Sequence, residues 1–221
     1  MIKLNDFLDE KSVFYYQIFG YLDKPWDILE RIEEFITSKG PNIEDFKEIQ
    51  KNVFIGKGVD INPSSEIQGP VLIGKNSKIG PGVLLRGGVI IGENCNIGHG
   101  SEVKRSIVGN NTNVAHLNYV GDSILGNNIN LAAGVILANY KSGAKDLMIY
   151  VDIKGRKVNT GLEKFGALIG DKVTLGSNVV TNPGTLIGKN TLIYPLTPVH
   201  GNIPANKIVK YKPHLEIVDK K

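Results

Sequence analysis

The chain has 221 residues, 41% of them hydrophobic and 22% charged, enough apolar material to bury one substantial core and to exclude a disordered chain. Its 26 Lys and Arg against 22 Asp and Glu leave a net charge of +4, which suits an anionic small molecule but is too small and dispersed for a nucleic-acid surface. With 26 glycines, 10 prolines and only 7% aromatic residues, the core has to come from Val, Ile and Leu set between many tight turns.

Residues 1–50 carry a helical pattern. Pro25 suits a first helical turn, Trp26, Leu29, Ile32, Phe35 and Ile36 fall at helical spacing, and Lys39-Gly40 reads as a stop. The expected role is a small cap that shields the open apolar end of the domain that follows. The opening stretch MIKLNDFLDE has neither the basic start nor the apolar run of a secretory signal, and the single Cys95 cannot form an internal disulfide. Both features point to a cytoplasmic protein. No apolar run approaches the roughly 18 residues a membrane-spanning helix needs.

From Ile55 the pattern changes to a period of six: Ile55, Ile61, Ile67, Ile73, Ile79, Leu85, Ile91, Ile97 and Val103. The register drops one residue before Val108, Val114 and Val120, and one more before Leu125, Leu131 and Leu137. It resumes at Ile169, Leu175, Thr181, Ile187, Ile193 and Val199, with Thr181 the one polar member. A small or β-branched residue four positions after each aliphatic, such as Ser65, Ser77, Cys95 or Ser101, supplies a second inward site. Six residues then make one flat face and one corner, and three faces close a coil of about 18 residues that stacks on the next at about 4.8 Å. Helical periodicity cannot sustain a six-residue repeat. The fold class is therefore all-β, a parallel β-helix over residues 51–213, with an inserted loop at 141–166 and a tail at 214–221. Within the insertion, Ile149–Ile153 and Arg156–Val158 flank a Lys154-Gly155 turn and predict a hairpin. So long an interruption of a solenoid is usually functional.

Counting hexads also places polar residues. His99 and His116 each follow an aliphatic by two and stack in successive coils, whereas Arg86 and Lys104 each follow one by a single position and stack likewise. One side of the solenoid is thus expected to carry all four, a cationic groove for phosphate with an imidazole able to take a proton. The bland alternative is a solvated basic face.

The string His116-Leu117-Asn118-Tyr119-Val120-Gly121-Asp122, with Leu125-Gly126-Asn127-Asn128-Ile129-Asn130 and the later Asn139-Tyr140, resembles the C-terminal acetyltransferase domain of bifunctional N-acetylglucosamine-1-phosphate uridyltransferases. It is also similar to the acetyltransferase half of archaeal sugar-1-phosphate nucleotidylyltransferases, which carry a comparable insertion. The likeness runs from about Val53 to Pro213. It implies a left-handed coil, a homotrimer with sites between subunits, and transfer of an acetyl group from acetyl-CoA to an amino-sugar 1-phosphate, glucosamine 1-phosphate first among them. Carried over residue by residue, it makes His116 the general base. Arg86, Lys104, Tyr119, Asn130 and Lys164 then hold the sugar and its phosphate, and Asn139 and Tyr140 lie near the reacting groups. Ala133, Ser177, Pro195 and Lys212 face the cofactor.

Two departures from the family pattern fall on the cofactor side: Ala132 stands where a glycine is usual, and Pro195 where a small residue is expected. A non-enzymatic scaffold and a different acyl acceptor are the competing readings. A zinc-dependent γ-class carbonic anhydrase is disfavoured, because the four histidines, at 99, 116, 200 and 214, lack a close pair five apart; no metal is expected. Fifty residues ahead of the repeat are too few for a nucleotidyltransferase domain, and no Gly-rich, Arg-containing nucleotide loop follows an opening strand, so that activity is not expected of the chain.

Overall fold

The structure, a computed structural model, describes residues 4–9, 13–20, 22 and 24–220. It is a parallel β-solenoid with one short α-helix near its N-terminus, as the six-residue period predicts. Each coil contributes short strands to three faces. The first face holds Val53–Ile55, Val71–Ile73, Ile124–Leu125, Ala167–Ile169, Thr185–Ile187 and Asn202–Ile203, together with the second halves of Leu84–Ile91 and Glu102–Val108. The second face runs from Asp60–Ile61 through Asn96–Ile97, Asn113–Val114 and Asn130–Leu131 to Ile208–Val209. The third holds Glu66–Gln68, Tyr119–Gly121, Ile136–Leu137, Val180–Thr181 and Pro198–Val199, with the first halves of the two long strands.

The aliphatic series reads out as vertical stacks. Ile91 pairs with Val108, Leu125 continues the stack, and Ile169 and Ile187 follow, all fully buried inside the coil or nearly so. The two losses of register have a single location, the corner between the third and first faces. There Arg86 pairs with Lys104, eighteen residues on, but Val89 pairs with Ser106, only seventeen on. Gly87-Gly88 has been replaced by the lone Arg105, whose φ of 40° closes the corner with one residue fewer. Asp122, with φ 46°, does the same one coil later.

The predicted helix is present. A 3₁₀ turn over Pro25–Arg31 runs into the α-helix Ile32–Lys39, and Trp26, Ile28, Leu29, Ile32 and Ile36 are buried while Phe35 is half-buried. Only the helical part is displaced from the expected position: it lies along the outside of the first face, where Phe54, Leu72, Ile90, Ile107, Ile124, Leu168 and Leu186 form a second, outward apolar stripe. Each of these immediately precedes an inward aliphatic, so this face is apolar on both sides and has to be covered. The end of the first coil is met by the last residues of the same 1–50 segment, Lys47–Gln50, which pair antiparallel with Val53–Ile55.

The insertion leaves the solenoid at the third-to-first corner and returns to it. Tyr150–Ile153 and Arg156–Asn159 form the expected hairpin around Lys154 and Gly155, both with positive φ, as a two-residue turn of this handedness needs. Its base is anchored: Ile149, Val151, Leu162 and Phe165 are buried in the same outer cluster as the N-terminal segment. Among the described residues no helix is long and apolar enough to cross a membrane.

Candidate functional site

The corner where the insertion emerges is also where the polar residues gather. A pocket of about 520 Å³ is lined by Arg86, Lys104, Tyr119, Asn139, Tyr140, Glu163 and Lys164. Six of these seven are residues the sequence singled out. Arg86 and Lys104 reach it from adjacent coils at the end of the third face, Tyr119 projects outward from that face one coil later, Asn139 and Tyr140 begin the insertion, and Lys164 ends it.

Asp122 organises this corner, and the hexad count gave it no role. Its carboxylate is completely buried; Oδ2 lies 3.4 Å from Lys104 Nζ and accepts the side-chain amide of Asn139, and Oδ1 accepts from Arg105 Nε. Arg105 in turn donates through Nη2 to the Lys164 carbonyl at 3.0 Å, and the Phe165 N–H donates to the Asn139 carbonyl at 3.0 Å. Both limbs of the insertion are thereby tied to one buried charge. A signal for Asp122 was present, since it closes the quoted His-Leu-x-Tyr-x-Gly-Asp string at the point of the second register loss. Gly121 beside it leaves room for both side chains: a Cβ there would sit 2.6 Å from the Tyr119 hydroxyl and 2.8 Å from Asn139 Nδ2 and would push them aside.

The other cations differ in how they are neutralised. Arg86 is held by Glu102, with Nε donating to Oε1 at 2.8 Å and Nη2 2.6 Å from the same oxygen. Lys164 has no carboxylate within 4 Å among the described residues; its Nζ sits over the Tyr140 ring, 5.8 Å from the centroid. Tyr119 is half-buried, and its phenol is raised above the ordinary tyrosine value, first by burial and then by the nearby carboxylates of Glu102 and Asp122. It stands in the pocket as a protonated hydroxyl.

The expectation that Arg86, Lys104, His99 and His116 share one side of the solenoid is corrected here. His99 and His116 do stack, two residues after the paired Ile97 and Val114, but they sit on the corner between the second and third faces. Lys104 and Arg86 occupy the other end of the third face. Hexad counting treats the three corners as equivalent, and that equivalence is what misleads.

The cofactor-side residues follow the histidines. Val114, Leu131, Leu175 and Ile193 pair in sequence, so His116, Ala133, Ser177 and Pro195, each two residues further on, form one column along that corner. Asn130 is on neither corner. It lies in the middle of the second face in a ladder of side-chain amides, Asn96 donating to Asn113 and Asn113 donating to Asn130, each at 2.8 Å. Lys212 is in the exposed C-terminal stretch, away from the pocket. Within one chain, then, six predicted residues converge, and His116, Asn130, Ala133, Ser177, Pro195 and Lys212 do not join them. Among the described residues no three His, Cys, Asp or Glu side chains group as metal ligands.

Residues 49–142 match the family model of the GMPPB C-terminal domain, and residues 166–193 match that of the hexapeptide repeat of succinyl-transferase. The bifunctional protein GlmU of Methanococcus vannielii is 35% identical over 221 residues, covering 97% of this chain and 53% of that protein. A bifunctional sugar-1-phosphate nucleotidylyltransferase/acetyltransferase of Sulfurisphaera tokodaii is 35% identical over 78 residues, 35% of this chain and 19% of that protein. A hexapeptide transferase family protein from Anaplasma phagocytophilum superposes with a TM-score of 0.45 at 16% identity, covering 69% of this chain and 81% of that one. The chain spans about half the length, or less, of the curated relatives it matches. This chain thus carries a GMPPB C-terminal-type domain over residues 49–142 followed by hexapeptide repeats over 166–193, consistent with the acetyltransferase-domain resemblance of its sequence.

Proposed function

We propose that the chain is an acetyl-CoA-dependent acyltransferase that acetylates the amine of an amino-sugar 1-phosphate, with glucosamine 1-phosphate as the first candidate. The observation that carries this reading is the corner pocket, where Arg86, Lys104 and Lys164 line one concavity with the Tyr119 hydroxyl and the Asn139 amide. Cations suit a phosphate monoester, and hydroxyl and amide groups suit a sugar.

The column on the neighbouring corner supplies the other half. From His116 to Pro195 it rises three coils, roughly 14 Å at the strand spacing, past the short side chains of Ala133 and Ser177. That track fits the long thin arm of acetyl-CoA. The pocket of one subunit meets the His116 column and Asn130 of another in a homotrimer, and Lys212 reaches the cofactor phosphates of a neighbour. The exposed Leu117 and Leu196 on the same corner, with Ile136 and Val180 on the third face, are the apolar surface such packing covers. In that arrangement His116 accepts the proton as the substrate nitrogen attacks the thioester carbonyl; the nitrogen–acetyl bond forms, the carbon–sulfur bond breaks, and coenzyme A leaves as the thiol.

Release of free thiol from acetyl-CoA in the presence of glucosamine 1-phosphate, galactosamine 1-phosphate and glucose 1-phosphate tests the proposal. Thiol release with the first two and none with the third is expected. No release with any amino-sugar phosphate would refute it.

A further inference from the structure

The N-terminal segment lies outside the repeat, yet it touches the arm that brings Lys164 and Glu163 to the pocket. The Trp26 ring packs on the Phe165 ring, centroids 5.9 Å apart, and its Nε1 donates to the Thr160 carbonyl at 3.2 Å. Both rings are buried almost completely. Lys24 adds a second tie, Nζ to the Asn159 carbonyl at 3.2 Å. Asn159, Thr160 and Phe165 bracket the return limb of the insertion, from the end of the hairpin to the point where the solenoid resumes.

The limb is also tied to the start of the hairpin and to the solenoid: the Ile149 N–H donates to the Leu162 carbonyl at 2.8 Å and the Gly184 N–H to the Phe165 carbonyl at 3.0 Å. Thr160 holds its own turn, donating through Oγ1 to the Ile149 carbonyl at 2.7 Å and accepting the Leu162 N–H at 3.1 Å. On the inner side, the Lys164 carbonyl is held by Arg105 and the Phe165 N–H by Asn139. Trp26 closes the sandwich from outside. A second concavity of about 380 Å³ on this side is lined by Glu30 of the same N-terminal segment together with Lys104, Arg105 and Lys164. The segment therefore abuts the wall of the site itself.

We propose that Trp26 is a positioning residue: it sets the return limb of the insertion, and through Phe165 fixes where Lys164 stands in the anion pocket. The consequence for binding rests on the reading of that pocket as a sugar-phosphate site; the strut itself does not. Among the described residues Lys164 has no carboxylate within 4 Å, so its position depends on the Tyr140 ring beneath it and on the backbone that carries it.

The test compares Trp26→Phe and Trp26→Ala with Ile32→Ala in the full chain. Ile32 is equally buried in the same segment but sits at the Gly88 corner, where a Cβ built on Gly88 would come within 3.4 Å of its Cγ2. Hydrogen exchange of the amides of Leu162 and Phe165 in the ligand-free protein reads the strut directly. Faster exchange in Trp26→Ala, with Ile32→Ala close to wild type there despite a similar loss of melting temperature, is expected. Titration of glucosamine 1-phosphate by calorimetry reads the consequence: Trp26→Ala should weaken binding by about tenfold, the effect of one misplaced charged contact. Trp26→Phe, which keeps the ring packing, should recover most of it. Equal exchange in the two alanine variants, or wild-type exchange in folded Trp26→Ala, overturns the proposal. Wild-type protein that binds no sugar phosphate while the exchange difference persists refutes the pocket reading and leaves the strut standing.

Discussion

Lys104 and Asp122 face each other across adjacent coils, Nζ 3.4 Å from an Oδ2 that has no exposure to solvent. The carboxylate sits at the corner where the coil has lost a residue, and it also takes a hydrogen bond from Arg105 and from Asn139. Removing its charge strands two cations beside a buried amide. Asp122→Asn is expected to destabilise the fold by about 3–5 kcal/mol, as for a broken buried ion pair, and to weaken sugar-phosphate binding as well. Chemical denaturation and calorimetric titration measure the two effects. Unchanged stability would mean that the cations are satisfied elsewhere.

His116→Ala should lower acetyl transfer by about 10²–10⁴ with the melting temperature nearly unchanged, because a general base contributes that much and the imidazole is exposed. His99→Ala is the control. It sits one coil earlier in the same column, its Nδ1 2.9 Å from the Pro81 carbonyl, and should have at most a modest effect. Equal turnover in both variants and wild type makes His116 a surface residue.

Thr181 interrupts the inward aliphatic stack between Leu137 and Val199, and its buried hydroxyl has no hydrogen-bond partner among the described residues. An unsatisfied buried hydroxyl costs about 1–3 kcal/mol, so Thr181→Val, which keeps the shape, is expected to raise stability by about 1 kcal/mol or more. A denaturation midpoint that falls would show that the hydroxyl is satisfied.

Burial raises the Cys95 thiol from 9.0 to about 11, against the opposing pull of hydrogen bonds from its surroundings. The folded chain thus holds the proton where the unfolded chain has released it. The associated stability is complete below pH 9 and is lost as pH rises from 9 to 11. Two units correspond to roughly 2–3 kcal/mol. Cys95→Ala should flatten that part of the stability-versus-pH curve; a slope the same as wild type assigns the loss to other groups.

The inward core was legible because a coil interior is filled mainly by aliphatic side chains, and Ile97, Val114 and Leu131 had to recur at coil spacing to meet. The losses of register were equally visible as counts. Their meaning was not, because a missing residue looks the same at any corner; only the structure assigns both to the corner that Arg105 and Asp122 turn. The covered first face left a trace that hexad counting passes over. Doubled aliphatics such as Leu72-Ile73, Ile90-Ile91 and Leu168-Ile169 mark it as apolar on both sides, and that pattern would have moved the helical part of the N-terminal segment from the end of the solenoid to its flank.

The outer stripe of the first face has a consequence for solubility. Phe54, Leu72, Ile90, Ile107, Ile124, Leu168 and Leu186 climb the solenoid one coil at a time, and the N-terminal segment and the base of the insertion cover them. A chain trimmed to the repeat alone would display that stripe as a continuous sticky ladder spanning most of the length of the molecule. The repeating part of this protein can fold coil upon coil, but it depends on a non-repeating segment to stay dispersed. Aggregation, rather than loss of the solenoid, is what trimming would bring.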